Sequence, residues 1–252
     1  MPAIRDPRPR SQQIAAELRA NIMSGDLPAG AKLSSTAELS ATYEAPGATI
    51  QNAITILKSE GYVEGQPGRG VYVRPVQQQT ITPADYAEPV EPGQPYAWIT
   101  AASRRGEEGA STLIDVGEVP APAEVAAAFG IERGAPVVRR YQLLTLDDEP
   151  VELVSTFYPI EFARGTALAE RRKIRGGSPA VLAGMGRTLA RFEDVVSARP
   201  ATSEEFVRLE LPTEVPILRT FRVSIADSGE PVECQLLIKA GNRRNVRYRW
   251  PT

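Results

Sequence analysis

Gly47-Ala48-Thr49-Ile50-Gln51-Asn52-Ala53-Ile54-Thr55-Ile56-Leu57-Lys58-Ser59-Glu60-Gly61 is the stretch whose reading decides the fold of the N-terminal part. Ile50, Ala53, Ile54 and Leu57 recur at the spacing of one apolar helix stripe, which leaves Gly47, Ala48, Thr49, Gln51, Asn52 and Thr55 on the other face. Pro46 suits the first turn of this helix, and Gly61 suits a left-handed cap at its end. Upstream, Ser35 followed three residues later by Glu38 forms a capping-box pattern, which predicts a short helix carrying Leu39 and ending near Tyr43. Farther upstream, Ile14, Leu18 and Ile22 form the stripe of a first helix that runs from Ser11 to about Gly25 and Pro28. Downstream, Tyr62-Val63-Glu64 and Val71-Tyr72-Val73 flank the turn-rich Gln66-Pro67-Gly68-Arg69-Gly70, which predicts a hairpin. Three helices and a wing make a DNA-reading arrangement, because the second helix braces a third whose polar face enters the major groove. The same pattern also suits a small packing or protein-interaction module.

Beyond Arg74 the chain becomes Pro-rich (Pro75, Pro83, Pro89, Pro92, Pro95) and includes Gln77-Gln78-Gln79, so residues 75–95 are expected to be a linker between domains at 1–74 and 96–252. The second domain contains an internal repeat. Val116 to Pro120, Glu124, Pro136 and Arg139 recur as Val196 to Pro200, Glu204, Pro216 and Arg219, and Glu149-Pro150-Val151-Glu152 recurs as Glu230-Pro231-Val232-Glu233. Each copy reads as a strand, a short helix and a hairpin turning at Asp147-Asp148 or at Asp227-Ser228-Gly229. Neither copy can bury its apolar face alone, so the two are expected to pack face to face around a shared core. The expected class is α+β with a mainly antiparallel sheet.

Composition narrows the function. The 252 residues include one cysteine and no histidine. Ser-His-Asp and Cys-His chemistry therefore lack a participant, and no nitrogen or sulfur ligand set exists for zinc. No metal site and no cofactor is expected. No apolar stretch suggests secretion or a membrane span, which points to a cytoplasmic protein with no membrane partner. Net charge is −2, and residues through Pro75 carry eight basic against seven acidic side chains, so charge supports nucleic-acid binding only through placement.

Residues 11–73 resemble the DNA-binding domain of the GntR family of bacterial regulators. The resemblance rests on Gln13 to Arg19, Ile22 to Leu33, Thr49 to Ala53, Leu57 to Tyr62 and the wing Gly68-Arg69-Gly70-Val71-Tyr72-Val73. From about residue 96 the chain resembles the effector-binding UTRA domain of the HutC subfamily, through Val119 to Pro122, the two Glu-Pro-Val-Glu segments and Val196 to Arg199. The chain departs from the family where helix two opens with Ser34-Ser35-Thr36 rather than Pro-Ser-Glu, and where Gly47 and Gln51 stand in place of arginines. Gln51 or Asn52 would then read adenine, with Thr49 and Ala48 at thymine methyls or the backbone, while Gly47 and Ala48 equally serve to allow close approach. Ser35, Thr36, Gly68 and Arg69 complete the expected DNA surface, and Arg5, Arg8 and Arg10 form an expected arm.

The resemblance implies a homodimeric, ligand-responsive repressor on a duplex operator with an inverted repeat, and an effector that is a small polar or acidic metabolite. The UTRA fold also resembles chorismate lyase, which keeps an enzyme as the rival reading. Strand alternation puts Arg139 with Val137, Tyr141 and Leu143, and Arg219 with Ile217, Phe221 and Val223. An arginine on an apolar face needs a partner, either a ligand or an internal carboxylate such as Glu152 or Glu233. The expected effector liners are Trp98, Arg139, Tyr141, Glu152, Tyr158, Arg191 and Glu233.

Overall fold

The computed structural model describes residues 6–75, 79–83, 97–174 and 176–249, so Arg5 and most of the expected linker lie outside the described residues. The chain divides into two compact units, one built from residues 1–79 and 212–215 and the other from residues 80–211 and 216–252.

In the first unit, α1 (Arg10–Ser24), α2 (Thr36–Tyr43) and α3 (Gly47–Ser59) precede the hairpin of β1 (Val63–Gln66) and β2 (Gly70–Val73). The three expected helices and the wing are all present. The stripes Ile14, Leu18, Ile22 and Ile50, Ala53, Ile54, Leu57 close one apolar core with Leu33, Leu39, Val63 and Val73. Each fully buried Ile or Leu there contributes about 1.5–3 kcal/mol, so packing rather than helix propensity holds these short helices. The capping box forms in full: Ser35 Oγ accepts from the Glu38 amide and Glu38 accepts from the Ser35 amide at 2.7 Å. Gly61 follows α3 at φ +80°, a backbone state that its lack of a Cβ makes accessible, and it turns the chain into β1. Arg19 donates to both carboxylate oxygens of Glu60 at 2.8 and 2.6 Å, clamping α1 to the end of α3.

The second unit is organised by one six-stranded antiparallel sheet in the order β4-β5-β6-β9-β8-β7. Its first copy of the repeat is β4 (Gly109–Pro120), α5 (Ala123–Phe129), β5 (Pro136–Leu146) and β6 (Glu149–Pro159). Its second copy is β7 (Leu189–Arg199), α8 (Ser203–Arg208), β8 (Ile217–Ala226) and β9 (Pro231–Ala240). The order strand, helix, hairpin is as the sequence implies, with Asp147 and Asp148 both at positive φ in the tight turn of the first hairpin. The copies do not pack face to face. They join edge to edge, because β6 pairs with β9 from Glu152↔Lys239 to Phe157↔Cys234, and helices rather than a second sheet then cover the apolar surface.

On one face, α5 and α8 cover the sheet. On the other lie α4 (Ala97–Ser103), α6 (Ile160–Ala163) and α7 (Ser178–Gly184), together with β3 (Gln79–Ile81) paired to β10 (Arg244–Val246). Strand β3 falls inside the stretch expected to be a linker. It carries little hydrophobic pattern of its own, and its backbone bonds go to a strand far away in sequence.

Candidate DNA-reading surface and effector site

Helix α3 buries its apolar stripe and leaves Gly47, Ala48, Gln51, Asn52 and Thr55 exposed, with Thr49 half-buried. Gln51 Nε2 donates to Thr36 Oγ1 at 2.6 Å, so α2 holds the Gln51 amide in place and leaves its carbonyl oxygen as an acceptor. Gly47 faces α2 with room for a Cβ, whose nearest neighbour would be the Thr36 methyl at 3.6 Å. The wing turns through Gly68 and Gly70, both at positive φ, which lifts exposed Arg69 to its tip, 5.9 Å from the Tyr72 ring centroid. Lys32, which bridges to Tyr72, runs beside Gly70 and adds a second cation to the wing. Sequence reasoning passed over Lys32, because only the pairing of its segment with β2 brings it there.

The arm differs from expectation. Arg8 is tied to Asp6 at 2.6 Å, and Arg10 is the first residue of α1, where it donates to the Tyr43 carbonyl at 2.9 Å and to Gln13 at 3.0 Å. The Arg10 guanidinium ties α1 to the end of α2, and both Arg8 and Arg10 remain exposed.

The seven expected effector residues are not brought together. Glu152 and Trp98 line a cavity on the face covered by α4 and β3, along with Leu144, Val154, Leu237 and Tyr248. Trp98 is also a core aromatic, packed with Ala102, Leu146 and Val151, and the Arg244 guanidinium lies 4.5 Å from its ring centroid. Tyr158 and Glu233 share this face of the sheet but sit under α6 and α7, where Glu233 accepts from Ser178 at 2.7 Å, from Ser224 at 3.3 Å and from Tyr158. Burial pushes both groups up, Tyr158 well above its usual value, and neither group lines the cavity that holds Glu152. Arg191 is exposed on edge strand β7 and pairs with Glu193 at 3.1 Å. Arg139 and Tyr141 are on the opposite face. The internal partners of the two repeated arginines are Asp115 for Arg139 and Glu124 for Arg219, not Glu152 or Glu233, because strand alternation sends both glutamates to the other side.

The cavity holding Glu152 contains a row of charges that no single segment announces. Across β6, β9, β8 and β7 stand Glu152, Lys239, Arg222 and Asp194, with side-chain exposures of only 6, 5, 8 and 10%. Lys239 lies 3.2 Å from Glu152, and Arg222 donates to both oxygens of Asp194 at 2.7 and 2.8 Å. Tyr248 donates to Asp194 at 3.0 Å. Burial lowers the Lys239 ammonium, offset in part by Glu152 and reinforced by Arg222. Burial opposes ionisation of Asp194, but the bonds and charge of Arg222 leave its carboxyl below the usual range. The remaining wall is mostly apolar, with Thr220 and Gln235 as polar exceptions, and Ile81 and Pro83, next to the first unit in sequence, form part of it. A lysine inside the run Leu236-Leu237-Ile238-Lys239-Ala240 was the available sequence signal for this site.

The sequence profile of the bacterial regulatory proteins of the gntR family matches residues 10–73, and that of the UTRA domain matches residues 104–244. The chain belongs to the GntR family. It is a DNA-binding transcriptional regulator with a UTRA effector domain, and not an enzyme. The regulator is 27% identical over 243 residues to the HTH-type transcriptional regulator SCO4628 of Streptomyces coelicolor, covering 93% of this chain and 90% of that one. It is 23% identical over 206 residues to the HTH-type transcriptional repressor PhnF of Mycolicibacterium smegmatis, covering 82% and 79%. A crystal structure of a GntR-family transcriptional regulator superposes with a TM-score of 0.65 at 23% identity, covering 97% of the regulator and 98% of that chain. That likeness shows the fold. Among the described residues, no helix is long and apolar enough to cross a membrane.

Proposed function

We propose that the protein is a homodimeric repressor that holds an inverted repeat in duplex DNA and releases it when a small acidic metabolite enters the cavity lined by Glu152, Lys239, Arg222 and Asp194. Residues 1–74 read DNA, and residues 96–252 sense the ligand and dimerise. The reader's expected contacts are Gln51 and Asn52 to base edges, with Thr49, Ala48 and Gly47 close to the groove. Arg69 and Lys32 meet phosphates or the minor groove, and Ser35 and Thr36 lie at the backbone.

The observation that carries the sensing reading is the charged row itself. Two buried ion pairs add little net stability, since the desolvation of four charges offsets their attraction, so their placement around a cavity points to a ligand. The two cations stand in the middle of the row and the two carboxylates at its ends. An acid group therefore fits between Lys239 and Arg222, while hydroxyl or ammonium donors of the same molecule fit Glu152 and Asp194. Trp98, Leu144, Val154 and Leu237 receive its carbon skeleton. Occupancy changes the wall formed by Ile81 and Pro83, and the short segment 74–78 is all that separates β3 from β2 of the reader. Coupling requires only that the ligand favour one setting of that wall over another.

The test has two stages. Purified protein is selected on randomised duplex DNA, and the enriched sequence is bound at several salt concentrations. An inverted repeat should emerge, bound by two copies of the chain, with affinity lost on combining Arg69→Ala and Gln51→Ala. Absence of enrichment, with residual binding that fades only with salt, overturns the operator reading. A panel of hydroxy and amino acids is then screened for release of that DNA. A releasing acid that is ignored by Lys239→Met supports the site, whereas equal response of the variant rules it out.

A further inference from the structure

The opposite face of the sheet holds a second cavity, beneath α8, which the sensing site does not use. Its walls include Asp115, Arg139, Tyr141, Ser155, Glu204 and Arg208, and its floor is Leu153, Leu236 and Ile238. The repeat shows that this space is not a requirement of the backbone. The equivalent position beneath α5 is closed by an apolar cluster of Val125, Phe157, Phe221 and Cys234. In the open position Tyr141 stands where Phe221 stands in the other copy, Ser155 where Leu236 does, and Glu205 where Val125 does. Polar and smaller side chains have replaced the filling.

The polar groups are arranged for an anion. Arg139 and Arg208 both approach the Tyr141 ring, at 5.3 and 5.5 Å from its centroid. Arg139 reaches Asp115 at 3.2 Å through Nη2 alone, while its Nε is buried and has no hydrogen-bond partner among the described residues. Asp115 also has Arg171 at 3.8 Å, so it keeps a cation if Arg139 turns to another acceptor. Two guanidinium groups (Arg139, Arg208) and three carboxylates (Asp115, Glu204, Glu205) line the cavity, while Arg171 and Arg199 pair with Asp115 and Glu205 from outside the lining, so Arg139 and Arg208 are the cations that a ligand inside it meets.

We propose that this cavity is a second small-molecule site, taking a monocarboxylate with an apolar body. The carboxylate accepts from Arg139 and from the Ser155 hydroxyl, and the body lies on Leu153, Leu236 and Ile238. The carboxylate supplies the acceptor that the Arg139 Nε lacks. The site stands apart from the charged row on the other face, so a ligand there is a separate input to the same sheet.

The probe is 4-fluorobenzoate, followed by fluorine NMR line broadening with the full chain. Saturable binding is expected. Arg139→Gln should weaken it about ten- to a hundredfold, the loss of a charge-assisted hydrogen bond. Ser155→Leu, which installs the side chain of the filled copy, should abolish it while leaving the thermal midpoint at or above that of the parent. Arg164→Gln, at an exposed ion pair with Glu118 that lines neither cavity, should bind as the parent does. Absence of saturable binding, binding that survives both Arg139→Gln and Ser155→Leu, or loss confined to Lys239→Met each overturns the proposal, the last by assigning the acid to the sensing cavity.

Discussion

The two copies of the repeat share a backbone plan and exchange their helices. Helix α5, from the first copy, lies over β8 and β9 of the second, where Glu124 pairs with Arg219. Helix α8, from the second copy, lies over β5 and β6 of the first, where Glu204 accepts from Tyr141 at 3.2 Å. Under α5 the space is filled by Phe157, Phe221 and Cys234, and under α8 it is open and polar. The other face repeats the contrast. Glu233 opposite Tyr158 is sealed by Ser178 of α7, whereas its counterpart Glu152 opposite Lys239 borders the sensing cavity. Each of these duplicated positions thus has one closed version and one version that borders a cavity. The backbone repeats both positions, and the side chains and the segments that cover them decide which is core.

The largest effect that bears on this contrast is expected from Phe221→Ala. Removing a buried aromatic from the closed half should lower unfolding stability by about 3–5 kcal/mol in urea titrations. Tyr141→Phe at the equivalent open position should cost about 1 kcal/mol or less, the loss of one partly exposed hydrogen bond. Equal losses would break the comparison.

Next in size is Asp194→Asn, which leaves the buried Arg222 without its carboxylate and should cost about 3 kcal/mol at neutral pH. Because the folded protein holds the Asp194 carboxyl below its usual range, this contribution is present above the unfolded value and is lost as pH falls through the folded one. The gap between parent and variant should therefore narrow in acid titrations below about pH 4. A gap independent of pH would mean that the pair does not form.

Smaller and opposite in sign, Ser155→Leu should raise stability by about 1 kcal/mol by filling the open half. Destabilisation there would show that the space is already occupied by the surrounding side chains. The smallest effect concerns Cys234 in the closed half. Burial pushes its thiol up to about 12, so a thiol reagent at neutral pH should leave it unmodified until denaturant is added. Rapid labelling of the native chain would mean that the closed half opens readily.

The reader was legible almost residue by residue, because its signals are local. The capping box at Ser35 and Glu38, the stripe from Ile50 to Leu57 and the glycines of the wing each act within a few residues of themselves. The place of Arg10 at the start of α1 is less legible, because its acceptor, the Tyr43 carbonyl, is supplied by a different helix. Strand β3 was read as linker for the same reason, its partner β10 lying at the far end of the chain.

By itself the sequence determined the winged reader, the repeat, its hairpins and the parity that puts Arg139 with Tyr141. It also made Glu152 and Glu233 equivalent, since each ends a Glu-Pro-Val-Glu segment. Only the tertiary structure separated them. What covers each glutamate comes from segments outside the repeat: α4, β3 and the chain around Tyr248 beside Glu152, and α6 and α7 over Glu233. Periodicity tells which way a side chain points from its strand. Whether it meets a cavity or a packed helix depends on elements brought together from distant parts of the chain.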